Sequence, residues 1–156
     1  MPDVILEPER GSIIRFILDK AGLQKYYTDV LPKTFAYPSA YFPTPELKSE
    51  HSTLSTYVIH YRMPVRFFAA NNQSAYDYAL AAATALIAGR NHIPLINADG
   101  TESGSGFRVK QSEVEKIDTG VYGFNIEWDS VRLFDDIPDE QQQINRQNHI
   151  SVEIIS

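Results

Sequence analysis

The chain has 156 residues, of which 43% are hydrophobic, 22% charged and 12% aromatic, a balance that suits one globular domain with a sizeable core. It contains no cysteine, which excludes disulfides, thiolate metal sites, iron–sulfur clusters and cysteine nucleophiles. Its net charge is −6 and its cations are scattered (Arg62 and Arg66, then Arg108 and Lys110), which argues against a general nucleic-acid binder, whose affinity comes from neutralising phosphates.

No run approaches the roughly 18 to 20 apolar residues of a membrane span. The start, residues 1–7, lacks the basic-then-apolar order of a signal peptide. Residues 8–22 predict a helix, with Ile13, Ile14, Ile17, Leu18 and Ala21 on one stripe. Pro8 between Glu7 and Glu9 reads as its N-terminus, Ser12 competes as a cap, and Gly22 is placed to terminate it. The aromatic stretch 35–43 reads as extended; Pro38 and Pro43 lack donors, so a strand there is expected at an edge or broken. Residues 44–52 are polar and read as a loop.

Residues 53–68 carry the clearest strand pattern. Tyr57, Ile59, Tyr61, Met63, Val65 and Phe67 alternate with Val58, His60, Arg62, Pro64, Arg66 and Phe68, and Pro64 suggests an edge position or a bulge. An alanine-rich helix is expected over 75–88, opened by a Ser74/Asp77 capping box and closed by Gly89. Its predicted buried stripe is Tyr76, Ala79, Leu80, Ala83, Leu86 and Ile87. Residues 97–106 read as a flexible loop. Strands are expected over 107–117 and 121–133, joined by a hairpin at Asp118-Thr119-Gly120, with Tyr122, Phe124, Ile126 and Trp128 on the packing face. Residues 135–148 read as a polar linker. Residues 149–156 read as a C-terminal arm strand with Ile150, Val152 and Ile154 on one side.

The order predicts a single α+β domain over 1–134: a mixed or antiparallel β-sheet with two helices packed on one face, followed by the linker and an extended arm. No catalytic, cofactor or metal constellation emerges. His51, His60, His92 and His149 have no helical i, i+4 partner. Gly104-Ser105-Gly106 precedes a predicted strand and lacks the lysine of a phosphate loop. Glu127 and Asp129, near Asp135 and Asp136, read as a solvated strand end rather than a pair tuned for acid–base work. Tyr37, Tyr41 and Phe42 suit core, interface or a ligand platform. With Ile150, Val152 and Ile154 they are the candidates for contact with another chain.

Several of these features together resemble the tail terminator (tail completion) proteins of long-tailed bacteriophages. They are the N-terminal helix ending near Gly22, the Tyr37-Pro38-Ser39-Ala40-Tyr41-Phe42-Pro43 stretch, the strand from Tyr57 to Phe68 running into the alanine-rich helix, and the closing strand from Tyr122 to Asp129. The resemblance spans about residues 8–134; the tail beyond Asp135 departs from it. It implies a homo-hexameric ring in the virion, assembled after synthesis in the host cytoplasm. Such a ring caps the tail tube, stops its polymerisation and meets the head completion or neck proteins. DNA passes through the lumen without specific binding, and neither cofactor nor membrane is involved. Another neck or tail component, a tube or head-closure protein, is the alternative; a small-ligand-binding domain is the second.

Overall fold

The computed structural model describes residues 3–134, with side chains from residue 8 onward; the expected linker and arm lie outside them. Helix α1 (Asp3–Ala21) begins earlier than the periodicity suggests and holds Pro8 in its interior. Ser12 is therefore not a cap. Its hydroxyl donates to the Pro8 carbonyl and accepts the Ile96 amide at 2.9 Å, which ties the helix to the sheet. Gly22 (φ 73°) terminates α1 as expected: its amide donates to Asp19 and the Leu23 amide to Leu18, leaving the Leu23 side chain buried.

Two short strands follow, β1 (Tyr26–Thr28) and β2 (Ser39–Phe42), parallel to one another. The 35–43 stretch is thus not an edge. A cis Tyr37–Pro38 bond leads into β2, which lies between β1 and β4 with Ser39, Ala40 and Phe42 fully buried; the donor-less prolines fall just outside the strand. The expected loop at 44–52 is instead β3 (Glu46–His51), an exposed strand paired with β4 (Thr56–Phe68).

Strand β4 is central. It pairs with β8 (Val121–Leu133) through thirteen positions without interruption, from Thr56 opposite Leu133 to Phe68 opposite Val121. On its other side β3 takes the first half and β2 the last three residues. Pro64 falls in the gap between those two partners, a locally open edge within a central strand where no neighbour waits for the donor it lacks, and no bulge interrupts the β8 register.

Helix α2 (Asn72–Ala88) is capped by Asn71, whose side chain accepts the Ser74 amide at 2.8 Å, in place of the expected Ser74 box. Gly89 follows the helix but keeps a negative φ; Arg90 and Asn91 take the left-handed conformation and their amides close on Ile87 and Leu86. The buried stripe is Ala75, Ala79, Ala82, Ala83 and Leu86. Tyr76, Leu80 and Ile87, expected inside, face outward, because the alanines bring the backbone close to the sheet and turn the larger side chains away.

Strands β5 (His92–Ile96) and β6 (Glu102–Gln111) form a hairpin, so half of the expected 97–106 loop is strand. Its turn is held by Asp99, which accepts the Thr101 amide and hydroxyl. The expected 107–117 strand is broken at residues 112–114, after which β7 (Glu115–Asp118) turns at Thr119-Gly120 into β8. Gly120 (φ 73°) suits that turn as expected. The sheet order is β1-β2-β4-β8-β6-β5, with β3 against β4 and β7 against β8. Both helices contribute to one core, in which Ile13, Ile17, Leu86, Met63, Val65, Phe67, Phe124 and Ile126 are sealed from solvent. The α+β reading, with a mixed sheet and two helices, holds.

Candidate assembly surfaces

The β4–β8 pair passes through two environments. From Met63 to Phe68 on β4 and from Val121 to Ile126 on β8, the inward side chains meet the helices; the Phe67 and Phe124 rings meet at 5.8 Å, tilted by 38°. Towards the other end the pair, joined by β3, runs into solvent. All six β3 residues are exposed, β4 is only half-buried from Thr56 to His60, and Val131 and Leu133 are 66% and 73% exposed. Leu47 and Leu54 are exposed there too, and Phe134 rests between Tyr57 and His51 with ring centroids at 5.1 and 5.2 Å. An apolar, strand-built projection with open backbone edges is a surface for contact with another chain.

A polar cluster sits where α1 crosses the start of this projection. Arg132 donates to Ser130 Oγ at 2.7 Å and to the Tyr61 hydroxyl at 3.2 Å, and its Nη2 lies 3.6 Å from Glu9 Oε1. That last separation is an ion pair, too long for a hydrogen bond. Tyr61 stacks on Trp128 at 5.0 Å. Burial raises the Glu9 carboxyl above its ordinary value; Ser130, Arg132 and Trp128 beside it pull in the opposite direction without cancelling it. Burial likewise raises the Tyr61 phenol. The side chains of Glu9 and Arg132 are 17% and 14% exposed, so this is a junction fixing the projection to α1 rather than a cleft open to substrate.

On the outward face of the projection, His60 is held from both sides. Its Nδ1 lies 2.5 Å from Asp129 Oδ1 on β8 and its Nε2 3.0 Å from Glu50 Oε1 on β3. Hydrogen bonds to Asp129 and then to Glu50 raise its pKa. One imidazole thus bridges three strands, with Arg62 and Glu46 a looser pair beside it at 3.9 Å. Sequence spacing hides this trio, because its members are brought together by strand register alone. The carboxylates grip opposite ring nitrogens, so the trio does not converge on one point. Among the described residues no group of three His, Asp or Glu suits a metal ion, and no helix is long and apolar enough to cross a membrane.

Of the expected contact residues, Tyr37 is 60% exposed, Tyr41 is half-buried with its hydroxyl donating to the Asp29 carbonyl at 2.6 Å, and Phe42 is fully buried in the core. Phe42 is further fixed by Arg10, which donates to its carbonyl at 3.0 Å and to Asp29 Oδ1 at 2.8 Å. Ile150, Val152 and Ile154 lie outside the described residues, as do Asp135 and Asp136. Glu127 and Asp129 face solvent, Asp129 engaged with His60. Gly104, Ser105 and Gly106 are exposed positions of β6, with no helix N-terminus after them. A cleft of about 340 Å³ beside α1 is lined largely by exposed charged residues, Arg15, Asp19, Lys20 and Glu102, so its polar groups are solvated rather than sequestered.

With this architecture in view, the relatives are informative. No protein-family model matches the sequence. The chain is 33% identical over 125 residues to the phage-like element PBSX protein XkdJ of Bacillus subtilis (strain 168), covering 80% of this chain and 85% of that protein. The chain belongs to the XkdJ family. The uncharacterized protein YqbJ of the same organism is 32% identical over 113 residues, 72% of this chain and 77% of that one. Among solved structures, a chain of the virion of a native gene transfer agent particle aligns over 80% of this chain and 92% of its own, with a TM-score of 0.43 and 13% identity, an overlap too loose to carry an argument. The XkdJ relationship therefore makes this a protein of a phage-element family.

Proposed function

We propose that the chain is a structural virion protein, a tail terminator that forms a homo-hexameric ring on the end of the tail tube. The ring stops tube polymerisation and offers its other face to a head completion or neck protein. Kinship with a protein of a phage-like element carries this reading. The projecting β3–β4–β8 end and its open edges are compatible with it, since a ring closes through heterologous contacts in which one patch meets a different patch on the next subunit. On this reading no reaction is catalysed, no cofactor is bound, and DNA slides through a lumen lined by an acidic chain.

Deleting the gene tests the proposal directly. Overlong tails are expected. Absence of tails points to a tube protein, and tails of normal length joined to heads overturn the reading. Electron microscopy of the assembled particle, with the ring labelled, locates the protein independently.

A further inference from the structure

We infer that the open edge of β3 is the docking site for the C-terminal segment 149–155 of a neighbouring copy. The inference rests on the self-assembly part of the proposed function and names the contact that joins the subunits.

Among the described residues the sheet has unpaired edges at β1, β3, β5 and β7, and along the stretches 102–108 of β6 and 129–133 of β8 that diverge beyond their shared pairs; the β6 stretch is interrupted by Gly104 at φ 85° and the β8 stretch is shorter than β3. Strand β1 has three residues, too few for a ladder. Strand β5 contains Pro94 and is engaged by α1, whose Ser12 takes the Ile96 amide. Strand β7 has four residues and a register break between Lys116 and Asp118. Strand β3 offers six exposed residues in unbroken register with β4, so its far edge is the longest regular template available for strand addition.

Side chains select the occupant. Residues directly opposite one another across a ladder share a face, so Leu47, Ser49 and His51 lie on the face of Tyr57 and Ile59, and Glu46, Lys48 and Glu50 lie on the other. The segment 149–155 alternates in the same way, with Ile150, Val152 and Ile154 apart from Ser151 and Glu153. Laid antiparallel with Ile154 opposite Leu47, it sets all three apolar residues beside Leu47, Ser49 and His51, extending the apolar face that Tyr57 and Phe134 begin. The same register puts Glu153 opposite Lys48 and Ser151 opposite Glu50. A shift of two residues either way sets Glu153 against Glu46 or Glu50, which is repulsive. The parallel arrangement that keeps Glu153 on Lys48 moves Ile150 off the end of the strand.

Chain length points to a neighbour. The fourteen residues from Asp135 to Asn148 inclusive are enough to reach about 46 Å when extended. A domain of this size is about 35 Å across, whereas the subunit's own β3 is only two strand spacings from β8, about 10 Å. Connections over so short a gap typically use about 2 to 6 residues. The spacer matches the step from one subunit to the next.

The absence of cysteine makes the test clean. Full-length Leu47→Cys and Ile154→Cys copies are mixed and treated with a short bismaleimide. A covalent dimer is expected, lost when Lys48→Glu is added to the first copy and restored when Glu153→Lys is added to the second. Dimer formation with Ile117→Cys on β7 in place of Leu47→Cys overturns the site. Closure of a Leu47→Cys/Ile154→Cys double variant within one chain, with no dimer, overturns the neighbour. The absence of any cross-link overturns the inference. Native mass measurement on the uncross-linked chain, alone and with tail tubes, separates this result from the broader reading. A defined oligomer without the cross-link removes only the arm's place, and a chain that stays monomeric in both conditions removes the ring as well.

Discussion

The two halves of the β4–β8 pair share one register and one pattern of alternation, yet they do different work. At the Phe67/Phe124 end the helices cover the inward face, sealing Met63, Val65, Phe67, Phe124 and Ile126 from solvent, and the pair acts as the spine of the core. At the Tyr57/Val131 end α1 covers only part of the pair, around Glu9 and Arg132, and the same alternation leaves aromatic and aliphatic side chains half-covered. The difference teaches that hydrophobic alternation reports a strand with an apolar face, and that only tertiary cover decides whether the face stabilises the subunit or recruits another.

Substitution separates the halves most sharply. Phe67→Ala is expected to cost about 3 to 5 kcal/mol of folding stability, because a fully buried ring leaves a cavity the packed sheet cannot close. Leu133→Ser is expected to change folding by less than about 0.5 kcal/mol while weakening self-association. Denaturant titration and native mass measurement on both variants check the pair, and an equal folding cost at the two sites breaks the distinction.

The junction between the halves comes next. Arg132→Met strands the buried Glu9 carboxyl and removes the hydrogen bonds to Ser130 and Tyr61, with an expected loss of about 3 kcal/mol read by denaturant titration. Glu9→Gln is milder and tests the sign of the electrostatics. The folded state holds the Glu9 proton to higher pH than the unfolded chain, so parent stability falls as pH rises from the ordinary glutamate value to the raised one. The glutamine variant lacks this slope. It is expected to be no less stable than the parent at pH 7 and to lose its relative advantage on acidification below that window, as thermal melts across pH will show.

The smallest effect lies at the tip. His60 is expected to titrate above the ordinary histidine value by NMR, with the midpoint falling in Asp129→Asn. Its contribution is complete below the unfolded-state value and is lost as pH rises through the raised one. The bridge across β3, β4 and β8 therefore tightens under mild acid, and a midpoint indifferent to Asp129 sinks this account.

Much of the spine was legible in the sequence. Strand β8 matches its expected span, β4 differs by its first three residues, and Gly22 and Gly120 occupy the turns their flanking patterns require. The edges were not legible. Glu46–His51 has no apolar alternation because both its faces are wet, and its strand state comes from β4 alone. Tyr26–Thr28 is too short for a period to register. The outward turn of Tyr76, Leu80 and Ile87 was hidden because a hydropathy stripe ranks side chains by polarity, while the sheet selected by size and took the alanines. The Glu9–Arg132 and Glu50–His60–Asp129 groupings join positions far apart along the chain, which local spacing cannot reveal. Of the contact candidates, Phe42 proved to be core because β2 is inserted between β1 and β4.

The uninterrupted β4–β8 ladder also bears on timing. Its nearest partners, Phe68 and Val121, are more than about 50 residues apart, so the central ladder is the most distant pairing in the fold and its loop closure is a costly step. During synthesis β4 emerges well before β8, and the projection of β3, β4 and β8 lacks its third strand until β8 has emerged. Premature nucleation on an incomplete polypeptide is thereby discouraged: a nascent chain presents no finished docking edge before the last strand of the domain is in place.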